Sequence, residues 1–369
     1  MKKKTALALA LSLTLSLLTG CGGGMTKTPD AFLKNEPAAI FDGGDGTEEH
    51  PYVITTPEGL SAVRENLSAH YRLNADIDLS GADWTPIGAF TPEGDSDAER
   101  KIPVKEHAFT GVFDGGSHTV SNVLIHESDG DAVGLFACVR DAHIYNRTVD
   151  GASVDGHTLT GAVVGYAYNS RLTAVSLTGA NAIVGHENED EGAESVGGII
   201  GGATNSLIDS CSAKANVVLP DNSAKGGILC GGLEATSVIN GYATGTLAAG
   251  DGCSEIGAIA GGVADSEEIT NSRSENVRIT VGERGAFVGG MVGRIESRQD
   301  GTENPLVTAV SRCAVESAEI SAGEDSGALG GVIGGGFPSG DGGAFVLTDC
   351  ALSGATVNGE NAEMVGGGV

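Results

Sequence analysis

One short phrase, a glycine followed by three small or apolar residues and a second glycine, recurs through this chain from residue 134 onward. Full copies are Gly161-Ala-Val-Val-Gly165, Gly197-Gly-Ile-Ile-Gly201, Gly257-Ala-Ile-Ala-Gly261, Gly289-Gly-Met-Val-Gly293 and Gly330-Gly-Val-Ile-Gly334. Degenerate copies begin at Gly134, Gly226 and Gly366, and successive starts lie 27 to 41 residues apart. A second phrase follows each of the first seven. It reads IYNRTV from Ile144, LTAVSL from Leu172, IDSCSA from Ile208, INGYAT from Ile239, ITNSRS from Ile269, VSRCAV from Val310 and LTDCAL from Leu347. Two linked phrases that keep step over seven units mark an internal repeat, and the loops between them absorb the variation in spacing.

Both phrases are short, rich in β-branched residues and alternating, so each reads as a strand. Apolar periodicity over the roughly ten residues a helix needs is missing from the repeats. A unit of two or three short strands cannot bury its own apolar face, but stacked units can, each strand pairing with its counterpart in the next coil. The expected architecture is therefore an all-β parallel solenoid of about 30–35-residue repeats. The repeat glycines are expected where the backbone needs a positive φ or where neighbouring coils approach too closely for a side chain. The fourth residues of the second phrase are Arg147, Val175, Cys211, Tyr242, Ser272, Cys313 and Cys350, and from Val175 onward they are expected to stack as one column in successive coils.

Residues 131–369 hold these repeats, the last of them incomplete, and residues 41–130 read as a capping region with the first coils. The cap contains the best helical segment, TPEGLSAVRENL, with Thr56 as N-cap, Pro57 in the first turn and Leu60, Val63 and Leu67 on one face. The polar stretch 91–106 reads as a surface loop. Because the final phrase stops at Val369 before its second strand, the expectation is a piece of a longer protein, or a frayed last coil that pairs with a partner.

The first residues have the pattern of an export signal: Lys2, Lys3 and Lys4, then an apolar run from Thr5 to Leu18 that is too short to span a bilayer. Leu18-Thr19-Gly20-Cys21 resembles the lipobox of bacterial lipoproteins. That resemblance implies a signal peptide over 1–20, lipidation of Cys21, and membrane lipid as the partner that anchors an extracytoplasmic body. Residues 21–40 read as a flexible linker. Six cysteines remain, Cys138, Cys211, Cys230, Cys253, Cys313 and Cys350. Disulfides are open to an exported chain, but the spacing lacks any zinc pattern, and buried free thiols acting as small fillers are the preferred reading.

The repeats resemble the GLUG motif of bacterial surface proteins. The matching text is GGDGTEEHPYVITTPEGL, YRLNADIDLSGADWTPIG, FTGVFDGGSHTVSNVLI and VGLFACVRDAHIYNRTV. The resemblance implies a right-handed parallel β-helix on an exported protein. Similar segments occur in adhesin-like proteins and beside the catalytic region of IgA-specific zinc metallopeptidases.

Catalytic patterns are sparse. A zinc peptidase needs His-Glu-x-x-His, and neither His126-Glu127 nor His186-Glu187 is followed by the second histidine. Glu324-Asp-Ser-Gly327 is the approach to a repeat glycine, and Gly43-Gly-Asp-Gly-Thr-Glu48 is a single turn-like segment, whereas calcium-binding nonapeptides come in tandem. The carboxylate pair Asp76 and Asp78, two apart on a strand, and the pair Asp114 with His118 are the candidates for glycosidase-like chemistry. No cofactor and no metal is expected. A net charge of −28 argues against a nucleic-acid partner, since phosphate binding needs a cationic surface. With only 4% aromatic residues, stacking platforms for sugars are scarce. The expected function is that of a non-catalytic, lipid-anchored surface protein used for adhesion, ligand binding or display, with a host or cell-wall glycan or protein as ligand. The alternative is a carbohydrate-active β-helix enzyme.

Overall fold

A computed structural model describes residues 40–93, 102–187, 191–266, 268–298, 307–339, 344–359 and 364–366. The signal segment, Cys21 and nearly all of the 21–40 linker lie outside the described residues, as do the middle of the 91–106 loop and the last three residues. Residues 39–369 form one compact unit.

Within it the chain winds through three parallel sheets. The coil that contains the 197–201 phrase shows the plan: strands Glu194–Gly197, Ile200–Thr204, Leu207–Asp209 and Ser212–Leu219 follow one another around the core. Each pairs in parallel with the corresponding strand of the next coil, at Ala224–Gly227, Cys230–Glu234, Ser237–Ile239 and Tyr242–Ala249. The first strand type builds one seven-stranded sheet and the second type another, while the last two share a broad sheet of 22 strands. Every pairing between these strands is parallel, consistent with a right-handed parallel β-helix, the hand favoured for connections between parallel strands. One apolar core runs from Ile54 to Val332.

The cap follows the expected lines. Thr56 accepts a hydrogen bond from the Gly59 N–H at 3.1 Å and starts a short helix, Pro57–Ser61, which tightens into a 3-10 turn over Ala62–Glu65. Leu60 and Val63 are buried, and Leu67 packs against the core from its edge. Beneath them the scarce aromatics are concentrated in one stack: Phe41, Tyr52, Tyr71, Phe109, Phe113 and Phe136, with successive centroids 4.4 to 6.5 Å apart.

Register corrects two details of the sequence reading. Gly197 pairs with Gly227 and Gly227 with Gly257, so the repeat glycine of that unit is Gly227, and Gly226 stands one position early. Gly226 takes the place held by Val196 and Ile256, and Leu219 and Ile256 close over the space its side chain leaves. Likewise Ser212 pairs with Tyr242, which puts Gly241, not Tyr242, in the column of Cys211, Ser272, Cys313 and Cys350. A side chain at Gly241 would meet Val238 and Leu229 in the core, whereas Tyr242 points outward and donates to Glu275 at 3.1 Å.

The repeat glycines answer close approach and not a positive φ. A Cβ on Gly201 would lie 2.1 Å from the carbonyl carbon of Leu159, and one on Gly227 would lie 1.8 Å from the Cys230 carbonyl oxygen. The left-handed bends fall on other residues. In the second phrase they fall on the residue just before the inward column: Asn146, Asn240, Asn271 and Asp349, types that tolerate this region best, and also Ala174, Ser210 and Arg312. The residue after the bend turns inward. At Cys211, Ser272 and Cys313 its side chain donates to the carbonyl two residues back, at 3.5, 3.1 and 3.2 Å. All six described cysteines are free thiols. Burial pushes the Cys138, Cys211 and Cys313 thiols up to about 12 and Cys230 well above its ordinary value.

Arg147 is the exception in this column. It is 1% exposed, and none of its guanidinium nitrogens has a hydrogen-bond partner among the described residues. Its cation lies 4.8 Å from the ring centroid of Phe113, where the aromatic stack meets the aliphatic coils.

Candidate functional site

The acidic pairs singled out in the sequence are tied into local structure. Asp76 accepts from the Thr119 N–H at 2.9 Å and faces His118 at 3.2 Å, and these contacts hold its carboxyl below the usual range. Asp78 takes the Asn122 side-chain amide at 2.8 Å and the Ser80 N–H at 2.9 Å. His118 therefore pairs with Asp76. Asp114 receives the Gly116 N–H at 2.8 Å and faces Arg72 at 3.6 Å. His126 lies between Asp83 and Asp155, and the carbonyl of His186 contacts the His157 ring. Ser326, in the Glu324–Gly327 segment, is buried and donates to the Gly323 carbonyl. Asp45 folds the 43–48 segment into a turn by accepting from Thr47. Among the described residues no group of three or more His, Cys, Asp or Glu side chains could hold a metal ion.

A groove of about 790 Å³ lies elsewhere, where the two seven-stranded sheets meet. Its floor is an outward column of the second sheet: Tyr166, Gly202, Gly232, Gly262 and Arg294 occupy equivalent positions in five successive coils. Glycine in three successive coils leaves room on this strand face for the side chains of the neighbouring column to lie across it. One wall is the column Leu159, Ser195, Lys225 and Glu255, which Phe287 continues in the next coil, all held at φ between +50° and +59°. Non-glycine residues adopt this conformation at a cost. Here it brings their side chains over the floor: a Cβ on Gly232 would meet Ser195 Oγ at 2.7 Å and Lys225 Cδ at 3.0 Å. Thr204, Glu234 and Glu296 line the other side.

Both ends are built. At the N-terminal end Phe90 packs edge-on against Tyr166 at 5.1 Å over a small apolar cluster with Ala108, Ala132 and Cys138. At the other end Arg294 is held by Glu255 at 3.0 Å and Glu296 at 3.2 Å, its guanidinium 5.4 Å from the Phe287 ring centroid. Between them Lys225 Nζ binds Glu194 at 2.6 Å. Partial burial disfavours its charged form, but Glu194, with Glu255 and Glu234, outweighs this and holds its pKa above the ordinary value. The lining carries six carboxylates, Asp131, Glu191, Glu194, Glu234, Glu255 and Glu296, against two cations, Lys225 and Arg294.

Sequence reasoning missed this groove. Its signal was the doubled glycine, Gly201-Gly202, Gly231-Gly232 and Gly261-Gly262, in three consecutive units, bounded by Tyr166 and Arg294 in the same place.

Residues 192–218 match the family described as the GLUG motif. The chain is 35% identical over 181 residues to Halomucin of Haloquadratum walsbyi, an alignment covering 47% of this chain and 2% of that protein. It is 32% identical over 143 residues to a Gly-rich membrane protein of Evansella cellulosilytica, covering 36% of this chain and 15% of that one. The chain thus spans only a small part of the length of these relatives. Among solved structures it resembles a Bacteroides ovatus chain described as an immunoglobulin A1 protease, with a TM-score of 0.49 and 18% identity over 89% of this chain and 87% of that one. One GLUG motif, set in a parallel β-helix, is what the chain shares with a known family.

Proposed function

We propose that this protein is a lipid-anchored bacterial surface protein whose β-helix binds a ligand in the groove between the two seven-stranded sheets, without transforming it. The observation that carries this reading is the groove itself: its lining runs across five coils, and Glu194, Glu255 and Glu296 along it are engaged by Lys225 and Arg294. An ion-paired carboxylate is a poor general acid, which needs a raised pKa and a free proton. A relative described as a membrane protein supports a place at the membrane. Among the described residues no helix is long and apolar enough to cross a membrane, and attachment through Cys21 needs none.

The reading is tested with Gly232→Leu, which fills the groove floor. A panel of glycans and peptides is presented to the full chain, and the ligand that loses binding in the variant is recovered and analysed. An intact ligand supports the proposal, and new chain ends in it would mean catalysis. For the anchor, Cys21→Ser should abolish incorporation of labelled fatty acid and release the protein from membranes; labelling equal to wild type would end the lipoprotein assignment.

A further inference from the structure

The groove has a length, a charge and a pair of resident cations, and together these define what it takes. Resting on the reading above, we propose that its ligand is an extended polypeptide segment bearing lysine or arginine side chains, lying along the helix axis across the coils. Five coils separated by about 4.8 Å give a floor about 19 Å long, enough for roughly six residues of extended chain. The lining extends along the coils from Asp131 to Glu296, which suits a narrow, elongated ligand.

Charge selects the ligand further. With six carboxylates against Lys225 and Arg294, the lining keeps a net charge of −4 when His157 is neutral. Lys225 and Arg294 already show how the groove receives an ammonium and a guanidinium: one carboxylate at 2.6 Å for the first, two at 3.0 and 3.2 Å for the second. Asp131 and Glu191 stand toward the Tyr166 end, away from Arg294, and would receive further cations. Such complementarity raises encounter rates and excludes anionic chains. Neutral glycans are disfavoured by the aromatic groups. Tyr166 is 6% exposed and donates its hydroxyl to Thr204 at 2.9 Å, while the Arg294 guanidinium lies over the Phe287 ring. Tyr166 therefore offers no free face for stacking.

The test uses the full chain and labelled deca-lysine as probe, read by fluorescence anisotropy at low salt, with deca-glutamate and a neutral oligosaccharide in parallel. Deca-lysine should bind and deca-glutamate should not. Asp131→Asn with Glu191→Gln should weaken binding by about fivefold or more, while Glu283→Gln with Glu324→Gln, two exposed carboxylates outside the groove, should change it less than about twofold. Gly232→Leu should weaken binding at least as much as the groove acids do, with circular dichroism unchanged. Equal losses from the two acid pairs would mean that deca-lysine reads only the overall charge of −28, and would overturn the proposal. Binding of the oligosaccharide alone, lost in Gly232→Leu, would overturn the cationic ligand but keep the groove. Failure of every probe to respond to Gly232→Leu would remove both.

Discussion

Arg147 is the costliest single residue in the core. Val175 and Cys211 hold the equivalent positions in the next two coils, and both are small and buried. A guanidinium there has surrendered its water for one aromatic face. Burial pushes its pKa down to about 9, so at neutral pH it is still a cation. Replacing it with an unbranched apolar side chain removes the unsatisfied donors at little loss of volume. Arg147→Met should therefore stabilise the fold by about 1–3 kcal/mol, the usual size of such a penalty, less whatever the Phe113 contact returns. Chemical denaturation checks this, and a destabilised variant would show that the arginine has a partner inside the core. The same burial makes the molecule sensitive to alkali. Cys138, Cys211 and Cys313 are pushed up to about 12 in the folded chain and Cys230 well above its ordinary value of 9.0. Between those limits the unfolded chain gives up protons that the folded one keeps, so stability falls as pH rises. Arg147 acts in the opposite direction above pH 9, but the Cys253 thiol and the Tyr71 and Tyr166 hydroxyls, also raised by burial, act with the four thiols. The expected slope is several kcal/mol lost per pH unit between about 10 and 12, and a melting temperature that holds steady across that range would contradict it.

At the scale of the strand, the coils are held by columns in which one residue type repeats a task. Ser170, Ser206, Thr236 and Ser266 form a buried hydroxyl ladder. Each hydroxyl accepts a backbone N–H from the preceding coil, at 3.0 to 3.2 Å, and donates to the carbonyl two residues back. The glycine columns do the complementary work of letting backbones touch. Gly201→Ala puts a Cβ against the Leu159–Thr160 peptide, which has no side chain to move aside, and should cost about 1–3 kcal/mol or more. Gly43→Ala is the control. Its nearest neighbour would be a Val53 methyl at 3.8 Å, and its melting temperature should stay within a degree or so of wild type. Equal melting temperatures for the two variants would mean that coil spacing adjusts freely. These columns also mark what could be read in advance. The Gly-x-x-x-Gly phrase and the Ile/Val/Leu positions follow the strand period, so coil, sheet and stacking direction were legible. The phase at Val238-Ile239-Asn240-Gly241 was not. Two adjacent apolar residues fit the strand equally well, and only the buried Gly241 decides which points inward. The groove was illegible for a different reason. Gly202, Gly232 and Gly262 look like any other glycines until the Leu159–Phe287 column, turned by its left-handed φ, is seen to overhang them.

For the molecule as a whole, the consequence of stacking is that each coil answers only to its two neighbours. Nearly all strand contacts join a coil to the one before or after it, in register, and the apolar core passes through without a break. Such a body should tolerate the loss of one complete coil and reject the loss of a fraction of one. Gly197 and Gly227 occupy the same position in successive coils, so excising residues 198–227 joins Gly197 to Ile228 with every column still in phase. The shortened chain should keep its strand signature in circular dichroism and unfold cooperatively at a somewhat lower temperature, having lost one coil-to-coil interface. Excising residues 198–212 instead deletes the Ile200–Thr204 and Leu207–Asp209 strands but leaves most of Ser212–Leu219. Two sheets then lack a rung that the third retains, and the apolar side chains on either side of the cut have no matching neighbour. That variant should lose cooperative unfolding or fail to accumulate. Because the complete excision also removes Gly202 and Lys225, it shortens the groove by one coil and takes away a resident cation with Glu194 left in place. Deca-lysine binding should therefore persist in the shortened protein, whereas binding that vanished while the fold survived would mean that Lys225 organises the site and does not merely occupy it.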